Sequence, residues 1–209
     1  GFLGFDSIRE TKNWSDFEIR MLRVVGEVFI NALEHQKAQQ VHEGQSRFME
    51  LLATEGSFTE TLTALVSIVE EQMPGMLGLV LLLDEDGRHL HVGAGPSLPL
   101  AYLDFTEGLE IGPQVGSCGT AAFRKERVLV SDIATDARWH ALRTEALKHG
   151  LRACWSEPVM GADGRLLGTF VMYYRYPRMP REAELHTMEV AAHLAGMAIE
   201  QKRKQEDMQ

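Results

Sequence analysis

The chain has 209 residues, 44% hydrophobic and 24% charged, enough for one full-sized domain with an additional segment. Its net charge of −9 disfavours nucleic acid and anionic membrane as partners. The longest apolar run, Met76 to Leu83, is strand-length and far too short to span a bilayer, and two cysteines cannot make a disulfide framework, so free thiols in a reducing cytoplasm are expected.

The chain starts at Gly1 without a methionine or a signal pattern, which suggests a piece of something longer. The first helix is expected from Ser15, where Glu18 three residues on completes a capping box. Ile19, Leu22, Gly26, Phe29 and Leu33 recur on it at steps of three and four, and it can run on through residues 36–45 toward Phe48, Leu51 and Leu52. This opening has an echo near the other end of the chain. Leu3-Gly4 answers Leu167-Gly168. Ile19, Leu22, Val25, Ala32 and Leu33 answer Leu185, Met188, Ala191, Ala198 and Ile199, with a slip of two residues in the loop between. The opening therefore reads as the last strand and helix of one domain, ahead of a complete second copy.

A second amphipathic helix is expected over 59–72, with Leu62, Leu65, Val66 and Val69 on one face and Pro74-Gly75 ending it. The period then changes. Leu77 to Leu83 reads as a buried strand, "DEDG" (84–87) as a turn, and Arg88 to Val92 as the antiparallel partner. His89 and His91 alternate there and share a face, where solvated strand histidines are favoured over a metal pair. Short helices are expected over 101–107, 117–125 and 141–149, the last ended by Gly150, and short strands over 109–111 and 128–130. Residues 132–139 read as a polar loop. Residues 151–160 and 166–174 read as two strands joined by the turn "GADG" (161–164), and a closing helix follows Pro180 over 181–204.

Hairpins dominate this order, so the fold class is α+β: a three-layer domain with a mainly antiparallel sheet of five to six strands. The long helices cover one face. The short helices and loops between Gly93 and Gly150 cover the other, the natural place for a small-molecule pocket.

"GSCGTAAFRKERVLVSDIATDARW", then "HGLRACWSEPVMGADGRLLGTFVMYYRYPR" and a closing helix, resemble a bacterial GAF domain, a fold related to PAS domains. The resemblance covers 48–204. Residues 1–40 resemble the tail of an upstream GAF domain, 41–47 a helical linker, and 205–209 a tail leading to a downstream module. Such domains sit upstream of histidine kinase, cyclic-di-GMP or transcription-activating modules, so the resemblance implies a non-catalytic sensory domain working in signal transduction. It also implies a homodimer through terminal helices. Leu185, Met188, Ala192, Ala195 and Ile199 form an apolar seam suited to that pairing or to packing on the domain's own sheet, and Leu22, Phe29 and Leu33 form a second candidate seam.

If the pocket is used, Cys118, Trp139, His140, Arg152, Cys154 and Trp155 would line it, the tryptophans as walls and Arg152 and His140 as anchors for an anion. No cofactor is specified. Ser117 can cap the helix that begins at Cys118, which would lower the thiol's pKa, whereas a small core-facing cysteine is the favoured reading. Free methionine-R-sulfoxide reductases share "CGTA" (118–121), where the cysteine is usually the resolving thiol. Their catalytic cysteine would fall within "DIATDARWHALRTEALKHG", which has none. The resemblance therefore implies no catalytic residue here. A ligand-free interaction and dimerisation module is the alternative, and a thiol enzyme resembling free methionine-R-sulfoxide reductase is the third and least favoured reading.

Overall fold

A computed structural model of the chain describes residues 57–206, together with the isolated positions 15, 16, 19, 21 and 23. The chain divides into two compact units, Gly1–Arg47 and Phe48–Gln209. In the first, Asp16, Ile19, Met21 and Arg23 are helical, and the Ile19 amide donates to the Ser15 carbonyl at 3.0 Å, as expected of a helix starting at Ser15. Glu18, the seam of Leu22, Phe29 and Leu33, the preceding strand and the linker 41–47 lie outside the described residues.

The second unit opens with helix α1 (Phe58–Gln72). Ser57 caps it: its hydroxyl accepts from the Glu60 amide at 3.3 Å, while the Glu60 carboxylate accepts from the Ser57 amide at 3.0 Å. Six strands follow: β1 (Leu77–Leu83), β2 (His89–Ala94), β3 (Leu109–Glu110), β4 (Val128–Val130), β5 (Ala153–Met160) and β6 (Leu166–Tyr174). They form one sheet in the order β3-β2-β1-β6-β5-β4, and every pairing is antiparallel. Among them lie α2 (Leu100–Thr106), α3 (Gly116–Arg124), a 3₁₀ turn (Ala137–Trp139) and α4 (Arg143–Lys148), and α5 (Glu182–Glu206) closes the unit.

The central strands β1 and β6 are apolar on both faces because both faces are covered. Val80, Phe170, Met172, Tyr174, Trp155 and Val159 pack beneath α1 and α5. Leu79, Leu81, Val171, Tyr173 and Cys154 pack on the other side, beneath the short helices. Where β1 meets β6 the backbones approach closely: a Cβ on Gly168 would lie 2.0 Å from the Leu81 carbonyl oxygen, so only glycine fits. The Leu167-Gly168 pair thus has a physical cause.

The seam on α5 faces inward. Met188, Ala192, Ala195 and Ile199 are each no more than 4% exposed, and with Leu185 they pack into the α1/α5 core. Of the two uses the sequence leaves open for these five residues, a dimer seam and packing on the domain's own sheet, the second is the one they make here. The sheet needs that stripe as its cover, and the small alanines let the helix approach it. At the head of α5, Arg178 clamps Glu184 at 2.6 Å and stacks over Tyr174 at 4.3 Å, tying the end of β6 to the start of the helix. No helix among the described residues is long and apolar enough to cross a membrane.

Candidate functional site

The candidate site is the sheet face under α2, α3, the 3₁₀ turn and α4. Gly116, at φ 58°, turns the chain into α3, and the seven residues Gly116–Ala122 are all buried. Val115 precedes the helix and supplies no side-chain cap. Ser117 is therefore not the cap that its position in the sequence suggests. Its hydroxyl points into the core, accepting from the Trp139 indole N–H at 3.1 Å and donating to the Cys154 carbonyl at 3.2 Å. One hydroxyl thus ties together α3, the 3₁₀ turn and β5.

Trp139 lies in what the sequence shows as a polar loop, yet it is 1% exposed. Asp136 makes this possible. Its carboxylate accepts from the Arg138 backbone amide at 2.9 Å and from the Arg138 guanidinium at 2.6 Å, closing the 3₁₀ turn that throws the indole inward. The Arg138 guanidinium in turn holds the Asp136 carboxyl below its ordinary value. The indole meets Tyr173 edge-on at 6.3 Å, and the Tyr102 hydroxyl donates to the Tyr173 hydroxyl at 3.1 Å across 71 residues of chain. Burial pushes both phenols well above their usual pKa.

The thiols share this environment. Cys118 is 1% exposed, and burial pushes it up to about 11, outweighing the amides of Gly119 and of Cys118 itself, which favour the thiolate. Burial raises Cys154 further; its sulfur lies 3.9 Å from the Ser156 hydroxyl. Desolvation of the charged form thus wins over the helix N-terminus.

The remaining sequence-predicted residues divide by position. Cys118, Trp139 and Cys154 come together in one cluster. Trp155 does not: residues alternate across a strand, so it projects to the α1/α5 side and stacks on Tyr174 at 4.8 Å. That corrects its reading as a pocket wall, and the alternation with Cys154 was the signal that could have shown it. Arg152 pairs with Asp132 at 2.9 Å, a surface clasp that lowers the carboxyl's pKa. His140 is exposed at the end of the 3₁₀ turn. Tyr102, Tyr173 and Ser117, which build the polar centre of this face, were missed, because their meeting depends on strand register and not on any local motif.

Chemically, this face is a closed aromatic core with two hydrogen-bonded sets, the indole with Ser117 and the Cys154 carbonyl and the two phenols with each other, brought together by the ring contact of Trp139 with Tyr173. It offers hydrogen-bond groups to a ligand that opens it. It does not offer a thiolate.

The GAF domain family model matches residues 55–200. A protein named methyl sulfide methyltransferase-associated sensor, from Methanosarcina acetivorans, is 38% identical over 173 residues. That alignment covers 83% of this chain and 17% of the relative, so the chain spans a small part of that protein's length. Among solved structures, the GAF domain of an Acinetobacter phosphoenolpyruvate-protein phosphotransferase matches with a TM-score of 0.62 at 18% identity, covering 78% of this chain and 93% of that one. Free methionine-R-sulfoxide reductase from Neisseria meningitidis, solved with its substrate, matches with a TM-score of 0.60 at 19% identity, covering 81% and 93%. At these identities the two structures establish the fold alone.

Proposed function

The chain belongs to the GAF domain family, and from that premise we propose that it is a non-catalytic sensory module of a longer signalling protein. The observation that carries this reading is the state of the Cys118 face. Both thiols are buried and held protonated, and the polar groups around them are hydroxyls, phenols and an indole in mutual hydrogen bonds. A thiol enzyme needs an accessible thiolate. The 38%-identical relative, named as a sensor, supports the same assignment.

The small molecule binds on this face by displacing the Trp139 indole, and the movement reaches α5 through β5 and β6, which the Arg178–Glu184 clamp joins to the helix. The full protein is cytoplasmic. Residues 1–40 are the tail of an upstream GAF domain, 41–47 a helical linker, 48–204 the sensory domain, and 205–209 lead to an output module of the kinase or cyclic-di-GMP type. The dimer forms along the flank of α5 at Val190, Leu194 and Met197, which are partly buried, Leu194 against the domain's own core, because the inward seam is already covered.

Native mass spectrometry of the untreated purified protein tests the proposal, together with an assay for turnover of free methionine sulfoxide with thioredoxin. An added mass on the folded species with no turnover is the expected result. A clean dimer with nothing bound favours the ligand-free interaction module. Robust turnover overturns the non-catalytic reading.

A further inference from the structure

The hairpin between β1 and β2 gathers four side chains that the sensory reading does not use. The turn after β1 places Asp84 and Asp86 beside β2, and alternation along β2 sets His89 and His91 on one face. Ligand atoms of Asp84, Asp86 and His89 all lie within 4.8 Å of one another. His89 Nδ1 is 2.7 Å from Asp86 Oδ2 and 3.7 Å from Asp84 Oδ2. His91 Nε2 reaches the same Asp84 oxygen at 3.5 Å. The other oxygen of each aspartate is engaged by backbone: Asp84 Oδ1 accepts from the His89 amide at 3.3 Å and Asp86 Oδ1 from the Arg88 amide at 2.5 Å. Each carboxylate is thereby oriented with one oxygen turned to the imidazoles.

We propose that Asp84, Asp86, His89 and His91 form a binding site for a divalent transition metal, with zinc as the best match. Three features favour it. First, ligands at about 2.0–2.1 Å from a tetrahedral zinc stand roughly 3.3 Å apart, and the three imidazole–carboxylate separations, 2.7, 3.5 and 3.7 Å, fall on both sides of that value. Second, two imidazole nitrogens with two carboxylate oxygens suit zinc and its transition-metal neighbours, whereas calcium and magnesium take all-oxygen sets. Third, His91 already has the support that metal-bound histidines have. Its Nδ1 meets the Glu107 carboxylate at 2.6 Å, and that carboxylate is itself fixed by the Val92 amide at 2.8 Å. An ionised carboxylate only accepts, so Glu107 holds a proton on Nδ1, and a metal would take Nε2 in place of the proton that the Asp84 carboxylate attracts there. Solvated strand histidines are the favoured reading of the sequence; what points beyond it is that Asp84, Asp86 and His89 bring donor atoms within 4.8 Å of one another while His91 stands beside Asp84 at 3.5 Å.

The test uses the full 209-residue chain without an affinity tag. Zinc is titrated by calorimetry, and cobalt is added in parallel to follow its visible spectrum. One zinc per chain and a tetrahedral cobalt spectrum are expected. His89→Ala combined with His91→Ala abolishes both, and Glu107→Gln, which leaves every ligand in place, weakens zinc binding by about 10–100-fold. Asp86→Asn serves as a second ligand variant, and unfolding curves of the metal-free proteins confirm that each variant folds. Failure of the wild-type chain to bind stoichiometric zinc overturns the proposal. So does binding that survives in the double-histidine variant, which would assign the ion to other histidines.

Discussion

The thiol of Cys118 separates a sensor from an enzyme, and its reactivity can be worked out from its surroundings. With its pKa pushed up to about 11, the thiolate fraction near pH 8 is about one in a thousand. A free cysteine, with a pKa near 8.5, is about one-quarter thiolate at the same pH. Ionisation alone therefore slows modification roughly 200-fold, and 1% exposure adds the requirement that α3 first open. The perturbation is a thiol reagent at about pH 8, applied to native protein and to protein in concentrated guanidinium chloride. Labelling at each cysteine is followed by mass spectrometry of the digested chain. The native protein is expected to label more than a hundredfold more slowly than the unfolded chain at both Cys118 and Cys154, with the two rates rising together as the fold is loosened. Rapid stoichiometric labelling of Cys118 in the native state would refute the reasoning, since it requires an accessible thiolate where the structure has a buried thiol.

Ser117→Ala orphans the Trp139 indole N–H and removes one partner of the Cys154 carbonyl, so about 1–3 kcal/mol of stability should be lost. At roughly 2–4 °C per kcal/mol for a chain of this size, a thermal melt resolves it, and an unchanged midpoint would move the hub elsewhere. Gly168→Ala drives a methyl group into the Leu81 carbonyl at the centre of the sheet and should cost about 3 kcal/mol or more, read as insoluble expression or a large fall in denaturation midpoint; a wild-type midpoint would contradict the close approach. Asp136 has its pKa lowered by Arg138, so its stabilising contribution is complete above the unfolded value of about 3.9 and is lost as the pH falls through the lower folded value. Asp136→Asn should therefore flatten the acid limb of a stability-against-pH curve measured by urea denaturation; an identical limb would exclude Asp136 as a contributor.

Much of the fold is written in local pattern. The unbroken apolar runs of β1 and β6, the turns "DEDG" and "GADG", and Gly150 at φ 74° after α4 each act between near neighbours, and the strands 77–83, 128–130 and 166–174 stand where period and turn chemistry put them. The α5 stripe is equally legible as a stripe, but its partner is not, because the same spacing of Met188, Ala192, Ala195 and Ile199 serves a sheet or a second helix. Candidate sites divide along the same line. Cys118, Trp139 and Cys154 are found by residue type and do converge, whereas Trp155 is lost to the opposite face.

By itself, then, the sequence determined the order of elements and the two-sided burial of the central strands, because these follow from contacts a few residues apart. Only the tertiary structure decided what the cysteine face is. Ser117 meets Trp139 across 22 residues and Cys154 across 37, Tyr102 meets Tyr173 across 71, and each meeting depends on strand register and helix placement set by the whole core. A hydroxyl one residue into a helix reads locally as a cap for solvent-facing amides; it becomes a buried hub once the sheet, the 3₁₀ turn and α3 close around it and remove the water.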